Sequence, residues 1–347
     1  MISRSWGYLS LLNLVMLFAN VRAKVPAIIV FGDSTVDAGN NNYVKTIAKS
    51  NFYPYGRDFN GGQPTGRFCN GRLVTDFLSE AFGIKPFIPA YLDPAYGIKD
   101  FATGVCFASA GTGYDNLTSL PLGVIPLWKE LEYFKTFRKK LLTFMGTYNG
   151  IKRLQDSLYL ISIGTNDFIL NYFLQPIGRA TQFTVEEYQN FLLHIAENLI
   201  LEIYQLGARK ISVPGLPPFG CLPIVRSLNG EECREDFNDV ARSYNAKFKI
   251  LVTKLNKKLN GINLLYADVF TPALHVINNP QAYGFESAAL GCCGTGTIEL
   301  SVLCNMHNPL TCTDANKYVF WDSVHPTEKL YRIIANDMMK TTLAQFL

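Results

Sequence analysis

A serine at position 34 stands where a hydroxyl can be put to chemical use. Ile28-Ile29-Val30-Phe31 is a short apolar run that stops at Gly32, and Asp33-Ser34-Thr35 opens a polar turn directly after it. A hydroxyl there is held at a strand's end, against whatever approaches that end. It acts as a nucleophile only beside a base, and acyl transfer also needs donors for the oxyanion that develops. The chain carries four histidines. His194 falls inside an amphipathic helical pattern, and His275 and His307 sit in polar loop contexts with no evident partner. His325 differs, because Asp322 precedes it by three residues in Trp321-Asp322-Ser323-Val324-His325-Pro326-Thr327. That spacing, at a loop-to-helix junction, lets Asp322 accept from one ring nitrogen while the other faces Ser34. The tautomer required of a general base is then held. Asp33 invites a catalytic role by its position, but Asp322 fits the orienting task and Asp33 reads as a turn former.

These side chains need a frame. Apolar runs at 28–31, 101–109, 157–163, 210–213 and 262–267 read as buried strands. Helical spacing covers 73–82, 125–145, 184–206 and 237–259, and a last helix begins at Pro326, suited to a first turn. Thr184 with Glu187 resembles a capping box, and Gly207 suits the far end of that helix. Strands alternating with helices predict an α/β fold: a doubly wound, parallel five-stranded sheet with helices on both faces. In such sheets the ligand crevice lies outside the carboxyl ends of the strands. Three of the strand exits here are small, polar and glycine-containing, at Ser34, at Gly111 and at Asn166. Residues 40–75 form a long Asn-, Gly-, Tyr- and Pro-rich loop, of the kind that usually caps or serves a site. Residues 272–316 read as loop-rich and cysteine-rich.

Composition bounds the rest. The 347 residues are 48% hydrophobic and 17% charged, with a formal net charge of +4. Basic residues are dispersed, which argues against a nucleic-acid partner. Residues 1–23 have a basic start, a short apolar core and small residues before Ala23, the pattern of a cleaved secretory signal. No later run is long and apolar enough for a stable membrane span. With no repeat, linker or composition break, residues 24–347 read as one domain. Export makes the eight cysteines disulfide candidates. Cys221 and Cys233 are plausible partners, and two bonds are expected among Cys292, Cys293, Cys304 and Cys312, with the adjacent pair facing different partners. The same cysteines with His307 have zinc-like spacing, a competing reading that export disfavours. Asn116-Leu117-Thr118 is a sequon, so Asn116 is a glycosylation candidate.

Four ordered motifs resemble a known family. Phe31-Gly32-Asp33-Ser34 with Asp37-Ala38-Gly39-Asn40-Asn41, Phe107-Ala108-Ser109-Ala110-Gly111, Gly164-Thr165-Asn166-Asp167, and Asp322 to Thr327 are similar to those of GDSL-type esterases/lipases. These belong to the SGNH hydrolase superfamily, and the likeness is to its secreted plant branch. The resemblance spans nearly the whole mature chain. It implies the flavodoxin-like SGNH fold and a secreted serine esterase without cofactor or metal, acting on small-molecule or polymer-borne esters. It implies Ser34 as nucleophile, His325 as base and Asp322 as its orienter. It implies an oxyanion hole from the backbone N–H groups of Ser34 and Gly111 and the Asn166 amide, with Gly113 as the alternative to Gly111. The G-x-S-x-G elbow of the common lipase fold is absent around Ser34. Thr35 stands where the name-giving motif has leucine. Cys106 replaces a common asparagine, and Cys69 is unusual in its motif. That leaves two readings, a Cys69–Cys106 disulfide tying the long loop to the oxyanion strand, or two buried thiols. An extracellular acyltransferase on the same triad and a catalytically silent binding protein are the other function classes.

Overall fold

The computed structural model describes residues 25–175, 178–228, 230 and 232–347; the expected leader, 1–23, lies outside the described residues. Five strands, β1 (Ile28–Gly32), β2 (Gly104–Cys106), β3 (Leu158–Ser162), β4 (Lys210–Pro214) and β5 (Asn263–Ala267), form one sheet in the order β2-β1-β3-β4-β5, and every pairing is parallel. The expected doubly wound architecture is present. Strand side chains alternate between two cores. Ile29 and Phe31 of β1, with Tyr159 and Ile161 of β3, meet α2 (Leu127–Met145), α4 (Val185–Gln205) and α5 (Glu235–Lys258). Ile28, Val30, Leu158 and Leu160 face the opposite side, against α1 (Val74–Ala81) and α7 (Glu328–Thr341). A sheet buried on both faces accounts for strands that read as continuous apolar runs.

Several expectations need correction. The strand expected over 101–109 is only Gly104–Cys106, because Ile98–Phe101 closes a helical turn first. A helix α3 (Thr147–Asp156) precedes β3. Within the loop-rich stretch, α6 (Phe270–Asn278) and β6 (Ser287–Gly291) form, and β6 pairs in parallel with β7 (Tyr318–Phe320). Pro326 does not start the last helix. Thr327 caps it, its side chain accepting from Leu330 N–H, so the proline lies one residue outside. The Thr184 capping box with Glu187 is formed.

Cysteine pairing follows expectation except at one place. Cys221–Cys233, Cys292–Cys312 and Cys293–Cys304 are bonded, so the sulfurs of the zinc-like set are bound to each other. Cys69 and Cys106 are free and buried, and the disulfide reading for them is overturned. Each thiol has its own partners: Cys106 Sγ donates to Val36 carbonyl at 3.1 Å, and Cys69 Sγ accepts from Gly71 N–H at 3.4 Å. Beyond the main cores, a small cluster of Tyr55, Phe68, Trp321 and the cystine sulfurs of 292, 293 and 304 joins the long loop to the disulfide-rich segment.

Candidate active site

Ser34 sits in the turn that follows β1 and is 7% exposed. The turn closes on itself, with Val36 N–H and Asp37 N–H both donating to Asp33 carbonyl, and Asp33 N–H donating across to Ser162 carbonyl at 3.0 Å. Gly32 makes this approach possible. Its φ is 143°, and a Cβ there would lie 2.0 Å from the Ser162 carbonyl oxygen. Asp33 Oδ1 accepts from Thr35 N–H at 2.9 Å and from Thr35 Oγ1 at 2.7 Å, so Asp33 shapes the turn as its type suggested. Burial pushes the Asp33 carboxyl up to about 6, against the pull of Thr35 and of nearby His325.

Behind the turn stand carboxylates that sequence reasoning passed over. Asp37 Oδ1 accepts from Gly39 N–H at 2.8 Å and Asn40 N–H at 2.7 Å, and its Oδ2 accepts from Ala110 N–H at 3.0 Å. One side chain thus ties the serine turn to the turn of Gly111. Asn40 reinforces the tie by donating to the carbonyls of Cys106 and Ala108. Asp followed two residues later by Gly is an Asx-turn signal and would have flagged Asp37. Glu130 of α2, fully buried, accepts Gly32 N–H on Oε2 at 2.9 Å. It lies on the apolar stripe of Leu127, Leu131 and Phe134, and an acid on that stripe is the signal that could have found it.

Gly111 has φ 90°, a conformation glycine adopts without a Cβ penalty. Asn166, half-buried, donates from Nδ2 to Thr112 carbonyl at 3.0 Å, which joins its helix start to the Gly111–Gly113 turn. Asp167 next to it is fully buried and accepts from Tyr114 N–H, Asp115 N–H and Thr118 Oγ1 at 2.8, 3.0 and 2.6 Å. A Cβ on Gly113 would lie 2.3 Å from Asp167 Oδ1, so the close approach of Asp167 requires a glycine there. Burial raises Asp167 to about 7, despite those three donors. A π-helical segment, Asp167–Phe173, carries the chain away.

The histidine arrives on a tight loop between β7 and α7, where Trp321 N–H donates to His325 carbonyl at 2.7 Å. His325 Nδ1 lies 2.8 and 2.9 Å from the two Asp322 oxygens, and both residues are essentially buried. Asp322 Oδ1 also accepts the N–H groups of Val324 and His325, at 2.9 and 2.7 Å. His325 Nε2 has no hydrogen-bond partner among the described residues, so no Ser34–His325 hydrogen bond is closed here. The Asp322–His325 pair therefore forms as its spacing suggested, with its outer nitrogen uncommitted. His194, His275 and His307 lie elsewhere, on α4, on α6 and in the disulfide-rich segment. Asn116 is exposed at the start of a short helical turn, and Thr118 of its sequon is bonded to Asp167.

Beside these groups is an apolar cavity of about 110 Å³. Thr35, Thr165, Val324 and Pro326, the sequence neighbours of Ser34, Asn166 and His325, line one part of it, and Leu216, Ile277 and Met338 line others. Among the described residues no helix is long and apolar enough to cross a membrane.

Comparison with known proteins identifies the family. Residues 28–338 match the family model described as GDSL-like Lipase/Acylhydrolase. Three GDSL esterase/lipases of Arabidopsis thaliana are 56%, 54% and 54% identical to the chain over 327, 321 and 327 residues. The alignments cover 93%, 92% and 93% of this chain and 93%, 91% and 93% of those proteins, respectively.

Proposed function

The chain belongs to the GDSL-like lipase/acylhydrolase family and is a carboxylic ester hydrolase; from that premise we propose that it is a secreted serine esterase working through Ser34, His325 and Asp322. Ser34 Oγ attacks the ester carbonyl while His325 Nε2 takes its proton, and Asp322 holds the ring and stabilises the imidazolium. The tetrahedral oxyanion is met by the N–H groups of Ser34 and Gly111 and by Asn166 Nδ2. His325 then protonates the departing alcohol. A water, deprotonated by His325, releases the acid from the acyl-enzyme.

The observation that carries this reading is the buried Asp322–His325 pair, bonded through Nδ1, with Nε2 free of any partner among the described residues. The apolar cavity is lined by Thr35, Thr165 and Val324 and not by Ser34 or His325 themselves, and an acyl chain reaching it from Ser34 would gain by burying apolar surface. Three disulfides fit an oxidising compartment, as does the N-terminal leader pattern, and Asn116 is exposed enough to carry a glycan. Lipid or cell-wall esters are the substrate classes that follow.

The test is Ser34→Ala against wild type on aryl esters of graded acyl length. Hydrolysis should fall by about 10³-fold or more, with wild type preferring chains longer than acetyl. Unchanged hydrolysis in the variant would remove Ser34 from the mechanism.

A further inference from the structure

Asp322 has one more partner, contributed by a residue 267 positions away in sequence. Tyr55 Oη donates to Asp322 Oδ2 at 2.8 Å, and Ser301 N–H donates to Tyr55 Oη at 2.9 Å. Tyr55 is fully buried, and its ring is wedged edge-on among Phe52, Phe68 and Trp321, at centroid distances of 5.8, 5.7 and 6.1 Å. Ser301 is anchored in turn, since its Oγ bonds the backbone of Ile47 and Lys49. It also lies inside the loop closed by Cys293–Cys304.

We propose that Tyr55 is a positioning residue for the hydrolytic reaction, the outer member of a chain running Ser301 N–H, Tyr55 Oη–H, Asp322 and His325. The proposal rests on the triad reading above. A carboxylate offers about four lone-pair sites. Asp322 fills them with two backbone N–H groups, the His325 ring and the Tyr55 hydroxyl. A saturated carboxylate has a single orientation, and the ring it holds inherits that orientation. The phenol is locked as a donor, because burial beside Asp322 raises its pKa well above the usual tyrosine value. Tyr55 therefore supplies geometry and a hydrogen bond, not a proton. Through Ser301 it also makes the aim of the histidine depend on the disulfide-rich segment.

Other titratable groups face this corner: Asp33 at the end of β1, Cys69 on the long loop, Tyr331 on α7, and the Arg57 guanidinium 4.9 Å from the Trp321 ring. Among the described residues none of these hydrogen-bonds to Asp322, so deleting the Tyr55 hydroxyl changes one donor only at that carboxylate.

The test is Tyr55→Phe, which keeps the ring and removes the hydroxyl. The kcat should fall about tenfold with KM held within about twofold. The acid limb of the kcat/KM profile should move to higher pH, since a carboxylate that has lost a donor binds the imidazolium more strongly. The downfield proton resonance of the His325 Nδ1–H should shift as well. Tyr159→Phe is the control: this tyrosine is equally buried, but its hydroxyl has no hydrogen-bond partner among the described residues, and the variant should leave profile and resonance in place. A Tyr55→Phe enzyme with unmoved profile and unmoved resonance overturns the proposal, whatever its melting temperature. Ser34→Ala, run in parallel, separates the two readings. Should that variant still hydrolyse ester, the triad reading fails, and the Nδ1–H resonance alone decides for or against Tyr55.

Discussion

The serine turn and the histidine loop meet at the same end of the sheet, yet different forces hold them. Ser34 follows a central strand, and buried carboxylates fix its turn by accepting backbone N–H groups: Glu130 from Gly32, Asp37 from Gly39, Asn40 and Ala110. No covalent cross-link touches that region, and its two cysteines stay free. His325 follows a three-residue strand in a two-stranded sheet, a poor anchor by itself. Its loop is stiffened instead by Cys292–Cys312 and Cys293–Cys304 and by the small core around Tyr55 and Trp321. A region built into a large sheet can use hydrogen bonds alone. A region at the periphery, with little apolar surface to bury, requires cross-links to reach comparable order.

That contrast can be broken from either side. Replacing Cys293 and Cys304 together by alanine should destabilise the protein by about 2–4 kcal/mol. Hydrogen exchange should then rise over 287–325 while protection over 28–38 is kept. Equal loosening of both regions would mean that the disulfides support the whole crevice and the division is wrong.

On the serine side, Asp37→Asn presents an amide N–H₂ to at least one of three backbone donors and should cost about 1–3 kcal/mol at about pH 7, where the carboxyl is ionised. Its pH dependence carries a sign. Burial raises the Asp37 carboxyl from 3.8 to about 6 in the folded protein, so the folded state holds the proton more tightly than the unfolded chain. Stability from this source is full below about pH 4 and is lost as pH rises through about 6. The asparagine variant does not titrate. Its deficit against wild type in denaturant unfolding should be largest near pH 4 and shrink by up to about 3 kcal/mol by pH 7. A deficit that grows with pH would reverse the assignment.

The two regions also differed in how far the residues disclosed them. The strand, the glycine stop and the serine turn are short-range signals, and so is an aspartate three residues before a histidine. Both were readable, as was the alternation that makes the sheet. Tyr55 was not, because nothing local separates it from the other seventeen tyrosines; contact with Asp322 alone gives it a role. Glu130 was visible only as a charge in an amphipathic helix, and its meaning depends on Gly32 lying opposite. β6 and β7 are short and separated by a disulfide-rich loop, so each lacks the length that makes periodicity informative. For Cys69 and Cys106 residue type allowed a bond, and packing decided otherwise.

The central claim is that Ser34 is the residue that carries the acyl group. The direct measurement is reaction of the folded protein with a fluorophosphonate ester, followed by peptide mass spectrometry. A single adduct on the peptide containing Ser34, absent when His325 is replaced by alanine, is the result expected. Hydrolytic activity without an adduct at Ser34, or with the adduct on another residue, would contradict it.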